Sequence, residues 1–337
     1  MSLAAIGWDD FFASAYAPWT GTRDVRPGRI AIEFNQIFRV YVEGGEVDAV
    51  TAGRLKHRAS SRAELPAVGD WVAVRQRPED GAVIVGVLPR RTAFTRRAAG
   101  EPTGEQVVAA NVDVVFVVMG LDRDYNPRRL ERYLLMARES GAAPVILLTK
   151  PDLSPDLSAH IRDVTTLAGD IVVYVVNPKR GEGVEQLHAH LEAGRTAALL
   201  GSSGVGKSTI INRLVGVDVQ RTREVRASDS RGRHTTTHRE LVMLPGGGLI
   251  IDTPGMRELQ LWDAADAVRE TFDDIEALAA RCHFTNCRHR DEPRCAVKAA
   301  VAEGTLPAER LDSYVKLQDE LATLARQQEE RARKTRR

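Results

Sequence analysis

The stretch AALLGSSGVGKSTIINRLVG, residues 197–216, decides the fold. Four apolar residues run into Gly201-Ser202-Ser203-Gly204-Val205-Gly206-Lys207-Ser208, which keeps the spacing G-x-x-x-x-G-K-[ST], and Thr209 leads into an apolar run of helical period. A buried strand, a glycine-rich turn and a helix in that order are the context a phosphate-binding loop requires. The glycines let successive N–H groups curl around an anion, and the helix N-terminus adds positive potential. Lys207 is placed to reach the β- and γ-phosphates of a nucleotide, and the Ser208 hydroxyl to ligate Mg2+.

Downstream, an arginine- and serine-rich stretch, Gln220–His238, lacks apolar periodicity and reads as a long loop. ELVMLPGGGLIIDTPG, residues 240–255, then gives two apolar runs around three glycines, a hairpin-like return to the sheet. Asp252 ends the second run, where it can hold Mg2+ through water, and the Gly255 N–H can meet the γ-phosphate. Upstream, VDVVFVVMG, PVILLTK and DIVVYVV alternate with helical stretches, the signature of βαβ units in a parallel sheet buried on both faces. The second run ends in Thr149-Lys150-Pro-Asp152, which resembles the Asn-Lys-x-Asp box of GTPases. There a carboxylate accepts N1–H and N2–H2 of guanine while the lysine stem packs along the base. Adenine offers no such donor pair, so a carboxylate left unpaired discriminates against it. Threonine is shorter than asparagine, and Thr149 is expected to weaken the base pocket. Asn177-Pro-Lys179 occupies the place of the Ser-Ala-Lys loop that touches guanine O6, with only Lys179 matching. The order is base box, base loop, P-loop, switch I, Mg2+ aspartate: a circular permutation, tolerated where the original ends lie close and exposed.

Residues 26–100 read differently. IAIEFNQIFRVYVEGG, DAVTAGRL, VGDWVAVRQ and GAVIVGVL are short alternating runs between turn signals, as in a small β-barrel of OB-fold or SH3-like type. Residues 1–25 are taken as an N-terminal extension, 101–262 as the permuted GTPase domain, and 263–337 as a helical domain with a basic tail. That last segment holds all three cysteines, in the pattern Cys282-x4-Cys287-x-His289-x5-Cys295. Three thiolates and one imidazole complete a tetrahedral set for a structural Zn2+. His283 is an alternative ligand that adjacency to Cys282 disfavours. Three cysteines cannot make a disulfide framework for 337 residues, the first residues carry acids and no basic leader, and no apolar run spans a bilayer. A cytoplasmic, membrane-free monomer is expected. The net charge of +1 excludes a globally basic nucleic-acid binder. Arginines do cluster locally, at Arg90, Arg91, Arg96 and Arg97, between Arg221 and Arg233, and in the last seven residues.

These motifs together resemble the RsgA (YjeQ/YloQ) family of ribosome-small-subunit-dependent GTPases. The resemblance runs through Val68-Gly-Asp70, Leu88-Pro-Arg-Arg91, Gln106-x3-Ala110-Asn-Val-Asp113, the permuted GTPase motifs, Gly232-Arg-His-Thr-Thr-Thr237 and Cys295-Ala-Val. It implies an OB-fold, a permuted α/β P-loop GTPase domain and a C-terminal zinc domain. It further implies binding of the 30S subunit and its 16S rRNA during late maturation, with GTP hydrolysis to GDP stimulated by the ribosome. The position after Asp-Thr-Pro-Gly255, where many GTPases keep a water-orienting Gln, is Met256, which cannot hydrogen-bond a water usefully. The family's substitute is the switch I histidine, here His234, and Thr235 or Thr236 would supply the switch I Mg2+ contact. A P-loop ATPase, or an RNA-binding module gated by nucleotide with incidental hydrolysis, are the other classes these residues admit.

Overall fold

The computed structural model describes residues 1–77, 81–97, 105–216, 239–252 and 271–335. They form two compact units, residues 1–125 with 140–259 and residues 126–139 with 260–337.

The apolar runs around the P-loop become one sheet. Strands β8 (Val114–Gly120), β9 (Ala143–Thr149), β10 (Val173–Val176), β11 (Thr196–Leu200) and β13 (Leu249–Asp252) lie parallel in the order β10-β9-β8-β11-β13. Strand β12 (Glu240–Met243) pairs antiparallel with β13, the hairpin expected around Pro245–Gly248. Every residue of β8 and β11 is buried, which accounts for runs with no polar alternation. The P-loop strand is central, so its carboxyl end opens between β8 and β13, where ligands of open α/β sheets gather.

The alternating runs close on themselves. Strands β1 (Val25–Phe34), β2 (Ile37–Val42), β3 (Gly45–Thr51), β4 (Trp71–Gln76) and β5 (Ala82–Val87) pair in the order β1-β2-β3-β5-β4, and β4 returns to β1. Only the β3–β5 pairing is parallel, and helix α2 (Gly53–Arg58) lies between β3 and β4 in the chain. This closure is that of an OB-fold rather than an SH3-like barrel. Barrel and GTPase sheet are continuous: β1 pairs with β12 at Ile32 and Glu240, Tyr41 Oη donates to the Leu241 carbonyl (3.2 Å), and Arg239 faces Glu33 at 3.9 Å.

Three of the quoted signatures prove to be architectural. Asp70, fully buried, accepts from Arg90 Nε and Nη2 (both 2.7 Å) and from the Ala67 N–H (2.8 Å). Burial pushes its carboxyl above the usual range despite the guanidinium alongside. Gly69 has no room for a side chain, since a Cβ would stand 2.1 Å from the Ala110 carbonyl oxygen of β7 (Glu105–Ala110). Asn111 donates to the Gly69 carbonyl (3.1 Å) and accepts from the Arg91 N–H (2.9 Å), while Asp113 accepts from the Thr196 N–H at the start of β11 (2.7 Å). Two arginines of the first cluster are engaged within the fold. Arg90 is committed to Asp70, and Arg91 pairs with Asp9 and lies over the rings of Phe11 and Phe12 at 4.7 Å each.

Residues 1–25, read as an N-terminal extension, pack against the barrel. Asp9 caps helix α1 (Asp10–Tyr16), Ile6 and Phe12 are buried, and Trp8 meets Trp71 edge-on at 4.7 Å. Arg29, buried in β1, ties this segment down with bonds to the carbonyls of Ile6 (2.6 Å), Gly69 (3.2 Å) and Asn111 (2.9 Å). Removal from water lowers its guanidinium pKa to about 10, still far above neutrality.

The second unit gathers helices α3 (Pro127–Ser140), α6 (Asp273–Ala279), α7 (Ala296–Ala302) and α8 (Ala308–Thr335). The P-loop helix, residues 207–216, is α5, and α4 spans Leu157–Ala168. Arg310 is the polar centre of the second unit. It reaches buried Glu131 (2.9 Å), both oxygens of Asp274 (2.6 and 2.8 Å) and the Thr271 carbonyl (3.0 Å), with its guanidinium over Phe272. No helix among the described residues is long and apolar enough to cross a membrane.

Candidate nucleotide site and metal centre

At the end of β11 the chain must turn at once. Gly201 is forced by contact, because a Cβ would lie 2.4 Å from the Val118 carbonyl oxygen of β8, and Gly204 and Gly206 take φ of 78° and 105°. Val205 is buried and anchors the loop, while Ser203 and Ser208 stay exposed at the mouth. Helix α5 starts at Lys207, so its free N–H groups and dipole point into the loop. The Lys207 ammonium lies back on the loop, donating to the carbonyls of Gly201 (2.7 Å) and Ser202 (2.6 Å).

The base box sits on the same rim. Thr149, fully buried at the end of β9, donates its hydroxyl to the Val205 carbonyl at 2.6 Å. The shorter side chain thus reaches the P-loop. Lys150 takes the left-handed backbone conformation (φ 57°) and directs Nζ to Asp122 Oδ2 at 2.5 Å. The adjacent ammonium holds the Asp122 carboxyl below its ordinary range. Asp152 is exposed, and its Oδ1 accepts from Asn177 Nδ2 at 3.2 Å. Asn177 is 6% exposed, and its Oδ1 accepts from the Arg180 N–H at 3.4 Å. Lys179 is exposed at the end of the base loop.

Two contacts had no sequence signature. Arg213 on α5 donates to the carbonyls of Pro178 (3.0 Å) and Lys179 (2.8 Å), binding the base loop to the P-loop helix. Ser202 Oγ donates to Asp124, whose loop follows β8. Both are side chains meeting across long sequence separations, with no residue spacing to betray them. Asp252 is half-buried at the end of β13, the strand parallel and next to β11. His234, Thr235, Thr236 and Gly255 lie outside the described residues, as do Met256 and the arginines of residues 221–233.

The second cluster is in the C-terminal unit. The ligand atoms of Cys282, Cys287, His289 and Cys295 all fall within 4.8 Å of one another, the single such set among the described residues with cysteine or histidine ligands. Cys282 Sγ lies 3.8 Å from Cys295 Sγ and 3.7 Å from His289 Nδ1, and His289 Nδ1 lies 3.4 Å from Cys295 Sγ. Tetrahedral bonds of the usual zinc lengths, about 2.3 Å to sulfur and 2.0 Å to nitrogen, separate two sulfurs by about 3.8 Å and sulfur from nitrogen by about 3.5 Å. The donor set fits a closed metal site. His283 is outside it, its ring against Phe284.

A family description, RsgA GTPase, matches residues 87–262. The chain is 52% identical over 336 residues to the Small ribosomal subunit biogenesis GTPase RsgA of Opitutus terrae, covering 97% of this chain and 91% of that protein. Among solved structures, YjeQ from Thermotoga maritima superposes with a TM-score of 0.66 at 26% identity, covering 88% of this chain and 99% of its own. YloQ, described as a circularly permuted GTPase, gives 0.62 at 24% identity, over 90% and 97% of the two chains, and supports the fold. P-loop, base box and OB-barrel thus coincide with a likeness that runs almost end to end, and the chain belongs to the RsgA GTPase family, as a GTP-hydrolysing enzyme.

Proposed function

We propose that this enzyme binds the 30S ribosomal subunit through its 16S rRNA, acts late in small-subunit maturation, and hydrolyses GTP to GDP faster on the ribosome. The observation that carries the nucleotide part is the Thr149 hydroxyl on the Val205 carbonyl, which fixes the base box to the phosphate loop. In this reading Asp152 accepts the guanine N1–H and N2–H2, aligned by Asn177, while Lys150 packs on the base and Lys179 closes its far edge. The N–H groups of residues 201–209 cradle the phosphates, and Lys207 moves from the Gly201 and Ser202 carbonyls to the β- and γ-oxygens. Ser208 and a switch I threonine, Thr236 or Thr235, would hold Mg2+, with Asp252 contacting it through water and the Gly255 N–H on the γ-phosphate. Mg2+ supplies charge neutralisation on the β- and γ-oxygens. Met256 offers the attacking water nothing, and His234 takes that role. The Cys282, Cys287, His289 and Cys295 set holds one structural Zn2+. The ribosomal assignment draws on the printed name of the Opitutus terrae relative, and a cytoplasmic monomer accords with it.

The test is GTPase turnover with and without purified 30S subunits, for the native protein and for His234→Ala. Stimulation by 30S in the native protein and its loss in the variant, with GTP and 30S binding retained, is the expected result. Equal turnover with and without 30S removes the ribosomal part, and ATP competing as well as GTP removes the base reading.

A further inference from the structure

The loop between β8 and α3, residues 121–126, touches both halves of the nucleotide site. Its Leu121 N–H donates to the Thr149 carbonyl at 2.8 Å, which sets the loop against the end of the base-box strand. Asp122 Oδ2 then receives Lys150 Nζ at 2.5 Å, and its Oδ1 accepts from the Asp124 N–H at 3.2 Å. That internal bond holds Asp124 where it accepts the Ser202 hydroxyl of the P-loop. The Asp122 and Lys150 side chains are only 24% and 27% exposed, so their pairing is less screened than a surface ion pair.

We propose that Asp122 and Asp124 are positioning residues for guanine nucleotide: Asp122 holds the Lys150 stem flat along the base, and Asp124 holds the first turn of the P-loop at a matched distance. The inference rests on the base-box reading above. A lysine carries four rotatable bonds, and one already anchored at its ammonium loses little further freedom when a base arrives. A free Lys150 would have to be ordered during binding. Asp122 therefore acts through Lys150, on affinity and residence time, without touching the nucleotide.

A double-mutant cycle on GDP affinity separates this role from a merely structural one. Fluorescent GDP is titrated into the full-length protein, Asp122→Asn, Lys150→Ala and the double variant. Asp122→Asn is expected to raise Kd and KM roughly tenfold, by faster release, while turnover at saturating GTP changes far less. In the Lys150→Ala background the same substitution should change Kd less than about twofold. Asp122→Glu, which keeps the charge, should recover part of the loss, and guards against a folding defect in the neutral variant. Equal losses from Asp122→Asn in both backgrounds overturn the proposal, as does a native Kd. Asp152→Asn is run in parallel: if it leaves GDP binding unchanged, the base-box reading itself falls. If it abolishes binding while Asp122→Asn does nothing, only the positioning role falls.

Discussion

Replacing Thr149 by valine removes one oxygen and almost no volume, so its effect reports the tie between base box and P-loop. The hydroxyl donates at 2.6 Å to Val205, and both residues are fully buried, so water cannot readily take over the bond. Losing one such hydrogen bond and leaving an acceptor short of its donor costs about 1–2 kcal/mol. The valine methyl fills the space, so no cavity is added to that figure. Because Val205 belongs to the loop proposed to wrap the phosphates, most of the loss should fall on the ordered, nucleotide-bound state. About 1.4 kcal/mol there is a tenfold rise in Kd for GDP and GTP alike. The assay is fluorescent-nucleotide titration alongside thermal unfolding with and without GDP. The variant should bind about tenfold more weakly and gain less thermal stabilisation from GDP. A Kd within twofold of native, with an unchanged melting temperature, would refute the view that this threonine registers the two half-sites. Thr149→Ser, which keeps the hydroxyl, should bind close to native and lose only stability.

Three further outcomes follow from the packing. Arg90→Ala strands the Asp70 carboxylate in the barrel and should cost about 3–5 kcal/mol in chemical denaturation, and adding Asp70→Asn should recover much of it. Arg213→Ala frees the base loop from α5 and should weaken GDP binding several-fold, about 1 kcal/mol, with little change in the melting temperature. Elemental analysis should find one Zn2+ per chain, and Cys295→Ser or exhaustive chelation should lower the helical signal and the melting temperature of the C-terminal unit. A metal-free preparation with native unfolding would contradict the structural role.

The sequence makes legible what is set by local spacing. The P-loop could be read because Gly201, Gly204 and Gly206 answer steric demands within one turn. The parallel sheet could be read because strands covered on both faces lose their polar residues. The metal set could be read because its ligands fall within fourteen residues. Barrel type comes from the family resemblance and not from spacing, since OB and SH3-like barrels differ in which distant strands pair, here β1 with β4 and β3 with β5. The Thr149 contact could not be read, because side-chain length alone does not tell where Val205 lies. The packing of residues 1–25 could not be read, because Ile6, Trp8 and Phe12 sit in short helical turns without a sustained period and meet Arg29 and Trp71 only in the fold. Asp70 and Arg90 stand twenty residues apart, and only the fold shows them as one ion pair.

The pairing of Ile32 with Glu240 has a consequence for how this protein can be divided. β12 would be the terminal strand of the GTPase sheet, with a row of unsatisfied amides and carbonyls, had β1 not covered its end. A chain cut before β1 would leave that end of β12 bare, so the barrel serves the GTPase sheet as the cover of its last strand.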